Sequence, residues 1–484
     1  MMRICLSIIL AILVAILGWW CCGRLPARVV QPVVPGHWLA HYVRGDGTID
    51  TAAALRDQRG VPGSPDANLA ALLVEVAGPT ALSPDPSPDL IKALGMTPEW
   101  LDEVHLELPE DIHLGPGEVA PFIPSSKTGR VHASSPPTFE DALTAAGKKP
   151  WRDSDLPTVA AWLDRQQSIL HAMMAWKPTC CCIPLMPGQD ARNANCLRLL
   201  PIHYLGLACA AEAFRSLALG DTASAVRYAA ILHGLGSLAA NSDSLINTVI
   251  GSSMMRHACD VMDAVMVLPS VSDSDLAPWL EVDGRLPWNP DVGHCLDCGE
   301  RLLFVDALQQ DAIQSPIAKE PTVILRRFND FYDRLAAVAR IPAWRDQKIE
   351  WGKLSATELD TISFRSYDGR WAMVKLICAG PFARREIGTE VTVKMALAIG
   401  APALLTCAES MRLATARLAL IRTAIALHHN PDANDWPADP FGNGPLCHRK
   451  NESNWSLWSV GRDGIDDQGV AGSDDVVLNL PATP

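Results

Sequence analysis

Over most of residues 151–429 the apolar side chains recur every three or four positions, which is the period of an amphipathic helix. Asp155 and Pro157 form a helix start signal, and the apolar stripe that follows them ends at Pro178. Further helices are predicted over residues 199–219, 222–239, 241–269, 301–314, 322–339, 385–399 and 407–429. Between residues 269 and 297 the period lapses, and we predict a loop there.

The region before this helical body has a different pattern. Residues 24–148 are rich in proline and lack long periodic stretches. Short helices are predicted only at residues 68–76, 88–94 and 138–146. Because proline clusters favour turns and extended segments, we expect either a loosely structured stem or an irregular cap on the next domain.

The period changes again after residue 430, where the pattern becomes typical of strands. Three short strands are predicted at residues 446–450, 454–460 and 475–480. A sheet of three short strands is only marginally stable alone. We therefore expect this small antiparallel unit to pack on the helix that precedes it.

A strongly hydrophobic stretch lies near the N-terminus. From Ile4 to Cys22 every residue except Ser7 is apolar, a run of 19 residues that nearly matches a ~30 Å hydrocarbon core. Trp19 and Trp20 stand where an interfacial aromatic belt would lie. The competing interpretation is a cleaved signal peptide, but the end of the run is bulky and lacks the small residues of a cleavage site. We predict a retained signal anchor.

The orientation of this anchor rests on a weaker argument. Arg3 and the α-amine lie on one side of the run and Arg24 and Arg28 on the other, so the count of positive charges is nearly balanced. Because an N-terminal hydrophobic run normally acts as an export signal, we expect a single-pass membrane protein with the bulk of its chain extracytoplasmic, on the periplasmic side.

Together these patterns predict a mainly α protein with an N-terminal transmembrane helix, an α-helical body and a small C-terminal antiparallel β unit packed on a helix. The predicted regions are the anchor at 1–23, the stem or cap at 24–148, the helical body at 149–404 and the C-terminal unit at 405–484.

Charge and cysteine content narrow the class of partners. The net charge of −13 repels nucleic-acid phosphates, so we expect no nucleic-acid partner. Of the 14 cysteines, three lie in or beside the anchor and leave an odd number in the body. Those remaining cysteines cannot all pair within one chain.

The densest chemical signal is an acidic loop before the last predicted strand. It carries five carboxylates within 13 residues, at Asp463, Asp466, Asp467, Asp474 and Asp475. Calcium takes six to eight oxygen ligands, so crowded acids in a loop with free carbonyl groups suit it. The spacing is not that of an EF-hand, because no bidentate glutamate closes the loop. The alternative is a solvated acidic turn without a metal ion.

A second candidate is the Cys-x-x-Cys pair formed by Cys295 and Cys298. A zinc site needs four ligands, and no second pair follows at a suitable spacing, although Cys180, Cys181 and Cys182 are available elsewhere in the chain. We therefore expect a local disulfide or two free thiols rather than a metal site.

Other ionisable groups form no recognisable catalytic set. His257, Asp260 and Asp263 share part of one helix face, and we interpret them as surface or satisfied core groups. His428 and His429 near a helix C-terminus complement its dipole. The sequence motifs of zinc proteases, serine hydrolases and P-loop enzymes are absent, so no catalytic or cofactor-binding residue is predicted and a non-enzymatic protein is favoured.

Several short motifs resemble a group of uncharacterised membrane-anchored bacterial proteins. The resemblance covers about residues 150–484 and comprises these segments: Pro150-Trp151, Leu156-Pro157, Ala161-Trp162-Leu163, Gly220-Asp221, Asp439-Pro440-Phe441-Gly442 and Ser459-Val460-Gly461. It assigns no activity.

Residues 407–480 also resemble the C-terminal part of the major pseudopilin of type II secretion, where a helix leads into a small sheet whose last loop binds calcium. The resemblance implies Asp463 and Asp474 as calcium ligands, with a longer spacing between them here. The N-terminus departs from the pseudopilin pattern, because residues 1–30 contain no matching processing site.

The expected function is therefore that of a membrane-anchored envelope protein acting in protein interaction or scaffolding, with a C-terminal unit that calcium stabilises. One alternative is a hydrolase or thiol redox enzyme with a site near Cys295 and Cys298. The other is a subunit of a secretion or pilus-like assembly.

Overall fold

The computed structural model describes twelve continuous segments and a few single residues. The segments are residues 36–60, 64–82, 87–96, 106–108, 138–186, 198–314, 409–433, 435–442, 444–451, 454–462, 464–470 and 473–481. The single residues are 33, 189, 325, 326, 329, 333 and 407. The predicted anchor at 1–23, the predicted helix at 385–399 and most of the one at 322–339 lie outside them. Among the described helices, none is both long enough and apolar enough to cross a bilayer.

Twelve α-helices of six residues or more are present in these segments. The first six are α1 (Thr51–Arg59), α2 (Leu69–Ala77), α3 (Pro88–Ala93), α4 (Phe139–Ala146), α5 (Pro157–Arg165) and α6 (Gln167–Met174). The next six are α7 (Leu199–Ala218), α8 (Thr222–Ala240), α9 (Leu245–Met266), α10 (Asp273–Arg285), α11 (Arg301–Gln314) and α12 at residues 409–429. A π-helical turn, Cys295–Glu300, leads directly into α11. The predicted mainly helical class is confirmed.

The turn between α7 and α8 forms as its residues predict. Gly220 has a φ of +78°, a left-handed conformation that glycine adopts without steric cost at a helix end. The next residue, Asp221, caps α8 by accepting a hydrogen bond from the Ser224 amide at 3.0 Å.

The predicted helix after Pro157 is divided into α5 and α6 at Gln166. This side chain is buried and reaches a segment distant in sequence: its Oε1 accepts a hydrogen bond from the Glu107 amide at 3.1 Å. Its own amide donates to Leu163 O at 3.0 Å, in the tighter pattern of a helix end. A contact made by tertiary folding therefore breaks a continuous apolar stripe.

The prediction of a loop at residues 269–297 is wrong for the first half of that segment, which forms α10. Ser272 and Asp275 build a capping box at its start. Pro278 lies inside the helix and removes one backbone hydrogen bond. Leu276 and Trp279, both fully buried, offset this loss because they pack in the main core.

Helices α8 and α9 approach each other through two glycines. A Cβ atom added at Gly236 would lie 2.9 Å from the carbonyl oxygen of Gly251. A Cβ atom added at Gly251 would lie 2.5 Å from the carbonyl oxygen of Gly236. Only residues without side chains permit this contact between backbones, so the glycine pair sets the distance between the two helices.

The described part of the proline-rich region packs on the helical body. Leu69, Val74 and Leu90 are buried in the same hydrophobic core as α7 to α9. Gln309 of α11 donates to the carbonyl oxygen of Ile49 at 3.0 Å and accepts from its amide, as a neighbouring strand would. Of the two alternatives for this region, these contacts favour the cap.

The C-terminal unit is a three-stranded antiparallel sheet of β1 (Cys447–Lys450), β2 (Asn454–Ser459) and β3 (Val476–Pro481), in that order. Leu457 of β2 pairs with Leu478 of β3. Both side chains are buried in one cluster that also contains residues of α12. The predicted small antiparallel sheet is confirmed.

His233 of α8 is fully buried against α10. Its ring centroid lies 4.7 Å from that of Trp279, and its Nε2 lies 3.4 Å from Asp283 Oδ1. Arg422 binds both oxygens of Asp283, at 2.6 and 2.9 Å. The positive charge of Arg422 therefore opposes the effect of the Asp283 carboxylate on His233. Burial lowers the pKa of His233 from its ordinary 6.5 to about 4. The imidazole is neutral at pH 7.

We expect His233 to make the protein less stable in mild acid. Its pKa is lower in the folded state, so below pH 6.5 the unfolded chain binds the proton first and the free energy of unfolding falls. At pH 5 this loss amounts to about 2 kcal/mol. Urea unfolding at pH 7.5 and pH 5 measures this loss in the free energy of unfolding. The loss should be smaller in the His233→Phe variant than in the native protein. An equal pH dependence in the variant would contradict the assignment, and His171→Phe, at an exposed position, is the control.

Candidate functional site

Three of the five predicted calcium ligands meet in the C-terminal loop. One carboxylate oxygen from each of Asp467, Asp474 and Asp475 lies within 4.8 Å of the others. Asp466 is directed elsewhere, and Asp463 lies outside the described residues. The loop therefore concentrates negative charge at one point, which is the arrangement that a hard cation offsets.

A tight turn positions the first of these acids. The amide of Val470 donates to the carbonyl oxygen of Asp467 at 3.3 Å, and the two central residues, Gln468 and Gly469, have φ values of +63° and +68°. Positive φ at both positions is typical of a type I′ turn. Gly469 lies against the ring of Trp458, where an added Cβ would come within 3.2 Å.

A close contact between the backbones of Gly461 and Asp474 positions the second acid. Gly461 has a φ of +67°, and a Cβ added there would lie 2.2 Å from the carbonyl oxygen of Asp474. No side chain is tolerated at that distance. The end of β2 therefore holds the backbone of the acidic loop where the loop returns towards β3.

Asp475 contributes a buried carboxylate oxygen to this group. Its Oδ2 accepts a hydrogen bond from the Gly469 amide at 2.9 Å, whereas its Oδ1 is buried and has no hydrogen-bond partner among the described residues. Burial raises the pKa of Asp475, the backbone amides of Gly469 and Asp467 oppose that rise, and the nearby charges of Asp467 and Asp466 add to it. An acceptor oxygen in this condition gains from a bound proton or cation.

Asp466 and Asp439 have structural roles in the same unit. Asp466 Oδ1 accepts hydrogen bonds from Trp458 Nε1 and the Gln468 amide, both at 2.8 Å. Asp439 is buried and accepts from Ser459 Oγ at 2.6 Å and from the Val460 amide at 2.8 Å. The importance of Asp439 was not predicted, although its position before proline is a recognisable turn signal.

The thiols of Cys295 and Cys298 are free and have separate partners. Cys295 donates to the carbonyl oxygen of Ser242 at 3.0 Å. Cys298 lies 3.4 Å from His294 Nδ1 and 3.6 Å from Gln58 Oε1. Burial raises the pKa of each thiol to about 12, so at pH 7 both are protonated and weakly nucleophilic. This arrangement supports structural thiols rather than a disulfide or a redox pair.

The run of Cys180, Cys181 and Cys182 supplies no further metal ligands to this pair. It lies along the N-terminus of α2, where Asn68 donates to the Cys182 carbonyl oxygen at 2.8 Å and accepts from the Cys182 amide at 3.0 Å. In the part of the chain that the structure describes, neither group of converging metal-binding side chains contains a cysteine.

The second such group surrounds a buried arginine that the sequence did not indicate. Arg301 is fully buried, and its Nη2 lies 2.6 Å from Asp297 Oδ1 and 2.7 Å from Asp333 Oδ1. His37 accepts from the Leu39 amide at Nδ1, and its Nε2 lies 2.9 Å from Asp333 Oδ1 and 2.8 Å from Arg301 Nη1. The guanidinium occupies the position of a cation among these groups, so we interpret the cluster as a structural ion network.

Asp260 and Asp263 also have a structural role. Arg417 of α12 donates to both carboxylates, to Asp263 at 2.9 Å, and so ties α12 to α9. Burial opposes the charge of Arg417, but the two carboxylates raise its pKa. Burial lowers the pKa of His257 to about 4. At the C-terminal end of α12, His429 Nε2 lies 3.1 Å from Asp273 Oδ1, a contact beyond simple dipole complementation.

Comparison of the chain with protein-family models, with curated proteins and with solved structures gives no match. The functional argument therefore depends on the residues and their geometry.

Proposed function

We propose that this protein is a membrane-anchored envelope protein that acts in protein interaction or scaffolding, and that calcium stabilises its C-terminal unit. One observation carries the calcium part: the carboxylates of Asp467, Asp474 and Asp475 converge while Asp475 Oδ1 is buried without a hydrogen-bond partner in the described chain. The anchor part depends on the run of 19 residues from Ile4 to Cys22, which is apolar except at Ser7.

The chemistry of the loop favours calcium over other metal ions. Its ligands are carboxylate oxygens, which suit hard cations, whereas zinc and copper prefer nitrogen and sulfur. Three carboxylates are fewer than calcium needs, so loop carbonyl groups and water would complete the coordination. Such a site is expected to bind with a Kd of roughly 10⁻⁴–10⁻³ M, the range of extracytoplasmic calcium modules.

A scaffolding role agrees with the chemistry of the helical body. The candidate thiols, Cys295 and Cys298, have raised pKa values and hydrogen-bond within the core. The charged clusters around Arg301 and Arg417 each link distant segments. These groups hold the helices in fixed positions. A protein that acts as an interaction platform requires such a rigid arrangement.

Calcium is expected to raise the stability of the full-length protein. At about 10 mM calcium the free energy of unfolding should rise by about 1.4–2.7 kcal/mol, given the expected affinity. Scanning calorimetry with and without chelator measures the shift. In Asp467→Asn and Asp474→Asn the shift should be lost, because each substitution removes an anionic ligand.

The control is Asp435→Asn, which removes an exposed acid outside the loop and should keep the full calcium shift. An equal shift with magnesium, or a shift that survives both loop substitutions, would refute the site. The anchor is tested in the same preparation: the full-length chain should stay with the membrane pellet after an alkaline carbonate wash. Release into the supernatant would refute the anchored architecture and leave the calcium result unaffected.

A further inference from the structure

An open groove runs between the end of α6, one face of α8 and α10. Met174, Trp176, Ile231 and Val282 line it, and each is only partly buried against the core. Gly234 adds no side chain, and a Cβ there would just touch Val282 at 3.6 Å. The groove therefore offers an apolar wall that the described neighbours leave accessible, and concave apolar sites of this kind bind small ligands.

The charges at this groove have the opposite sign to those of the whole chain. Lys177, Arg227 and Arg285 line it with a single acid, Glu281, whereas the net charge of the protein is −13. Lys177 pairs with Glu281 at 3.0 Å, and both side chains are largely exposed. Such a pair is weak and largely self-neutralising. Arg227 and Arg285 remain as the cations beside the apolar wall.

One nitrogen of the Arg285 guanidinium group lacks a hydrogen-bond acceptor among the described residues. Its Nη1 donates to the carbonyl oxygen of Pro178 at 3.2 Å, which holds the guanidinium at the groove. Its Nε is buried and has no hydrogen-bond partner among the described residues. A guanidinium presents its donors as a planar fork that matches a carboxylate. Because the Nε atom itself is buried, a carboxylate in the groove would meet the terminal nitrogens of this fork.

We propose that this groove binds a single-chain carboxylate amphiphile of the fatty-acid type. The carboxylate binds Arg285 and Arg227, and the hydrocarbon chain lies against Met174, Trp176 and Ile231. A neutral alcohol of equal length would leave both guanidinium groups unpaired, and a short carboxylate would leave the apolar wall exposed. Binding therefore requires the head and the chain together, and it is independent of calcium at the C-terminal loop.

The test is photolabelling of the full-length protein in lipid nanodiscs with dodecanoic acid that carries a diazirine at its terminal carbon. Mass spectrometry should find the label on peptides that contain Met174, Trp176, Ile231 or Val282. Excess dodecanoate should remove it, whereas dodecanol and acetate at the same concentration should not. Label found only on other peptides, or equal competition by dodecanol or by acetate, would overturn the proposal.

Matched variants separate the head-group contact from simple damage to the fold. Arg285→Gln and Arg227→Gln should each reduce labelling on the order of tenfold, since each removes a charged hydrogen-bond donor. Arg227 is exposed, so its substitution leaves the fold intact even if loss of Arg285 does not. Arg56→Gln, at an exposed position of α1, should label as the native protein does. Undiminished labelling of Arg227→Gln would refute the assigned carboxylate contact.

Discussion

Replacement of Arg301 by methionine is expected to lower the free energy of unfolding by about 3–5 kcal/mol. Arg301 is fully buried and lies within 2.7 Å of carboxylate oxygens from Asp297 and Asp333. Methionine fills much of the volume of the aliphatic stem but removes the charge. The variant therefore leaves two carboxylates, with side chains 15% and 36% exposed, without their counter-charge.

Urea unfolding followed by tryptophan fluorescence measures this loss. The control is Arg56→Met, whose exposed side chain should change stability by less than about 0.5 kcal/mol. A loss below about 1 kcal/mol for Arg301→Met would mean that water already screens the cluster, as at a surface ion pair.

The pH dependence of the Arg301 effect gives a second check. Burial alone would raise the pKa of Asp333, but the hydrogen bond with His37 and the charge of Arg301 lower it overall. A carboxylate with a lowered pKa contributes stability above its unfolded pKa, near 3.9, and loses that contribution as the pH falls through its folded pKa. The difference between native protein and variant should therefore narrow below about pH 4.

Gly251→Ala is the second substitution for which we expect a large effect, a loss of about 2–3 kcal/mol. The added Cβ would lie 2.5 Å from the Gly236 carbonyl oxygen and 2.6 Å from the Ala240 amide nitrogen. Both are backbone atoms of α8, and they cannot rotate away as a side chain would. Helices α8 and α9 must separate, and the core packing between them loosens.

Gly284→Ala is the matched control for this prediction. Gly284 is an exposed helical glycine in α10 with no atom within 4 Å of an added Cβ. Because alanine is the better helix former, this variant should gain up to about 1 kcal/mol. Thermal unfolding of the two variants should shift in opposite directions. A Gly251→Ala protein as stable as the native one would show that α8 and α9 can move apart without cost.

Local patterns in the sequence were sufficient for most of the described elements. The apolar period and the Gly220–Asp221 turn predict α7 and α8 closely. The alternation after residue 430 predicts all three strands. These features depend on neighbours along the chain, and caps, turns and amphipathic faces act at that range.

Local patterns failed where a distant contact decided the structure. Gln166 divides a predicted helix because its side chain binds the backbone of Glu107. Residues Asp273–Arg285 form a helix despite Pro278, because Trp279 is buried in the core. In both cases the energy of a tertiary contact exceeds the small local preference that the sequence reveals.

The sequence by itself determined the helical class, the small C-terminal sheet and the presence of an acidic loop. Only the tertiary structure decided that Asp467, Asp474 and Asp475 converge while Asp466 binds Trp458. It also placed Arg301 among acids from other segments and set the cations of the α6, α8 and α10 groove beside an apolar wall. The reason is physical: the period of a pattern depends on residues a few positions apart, whereas a site forms from side chains that only packing brings together.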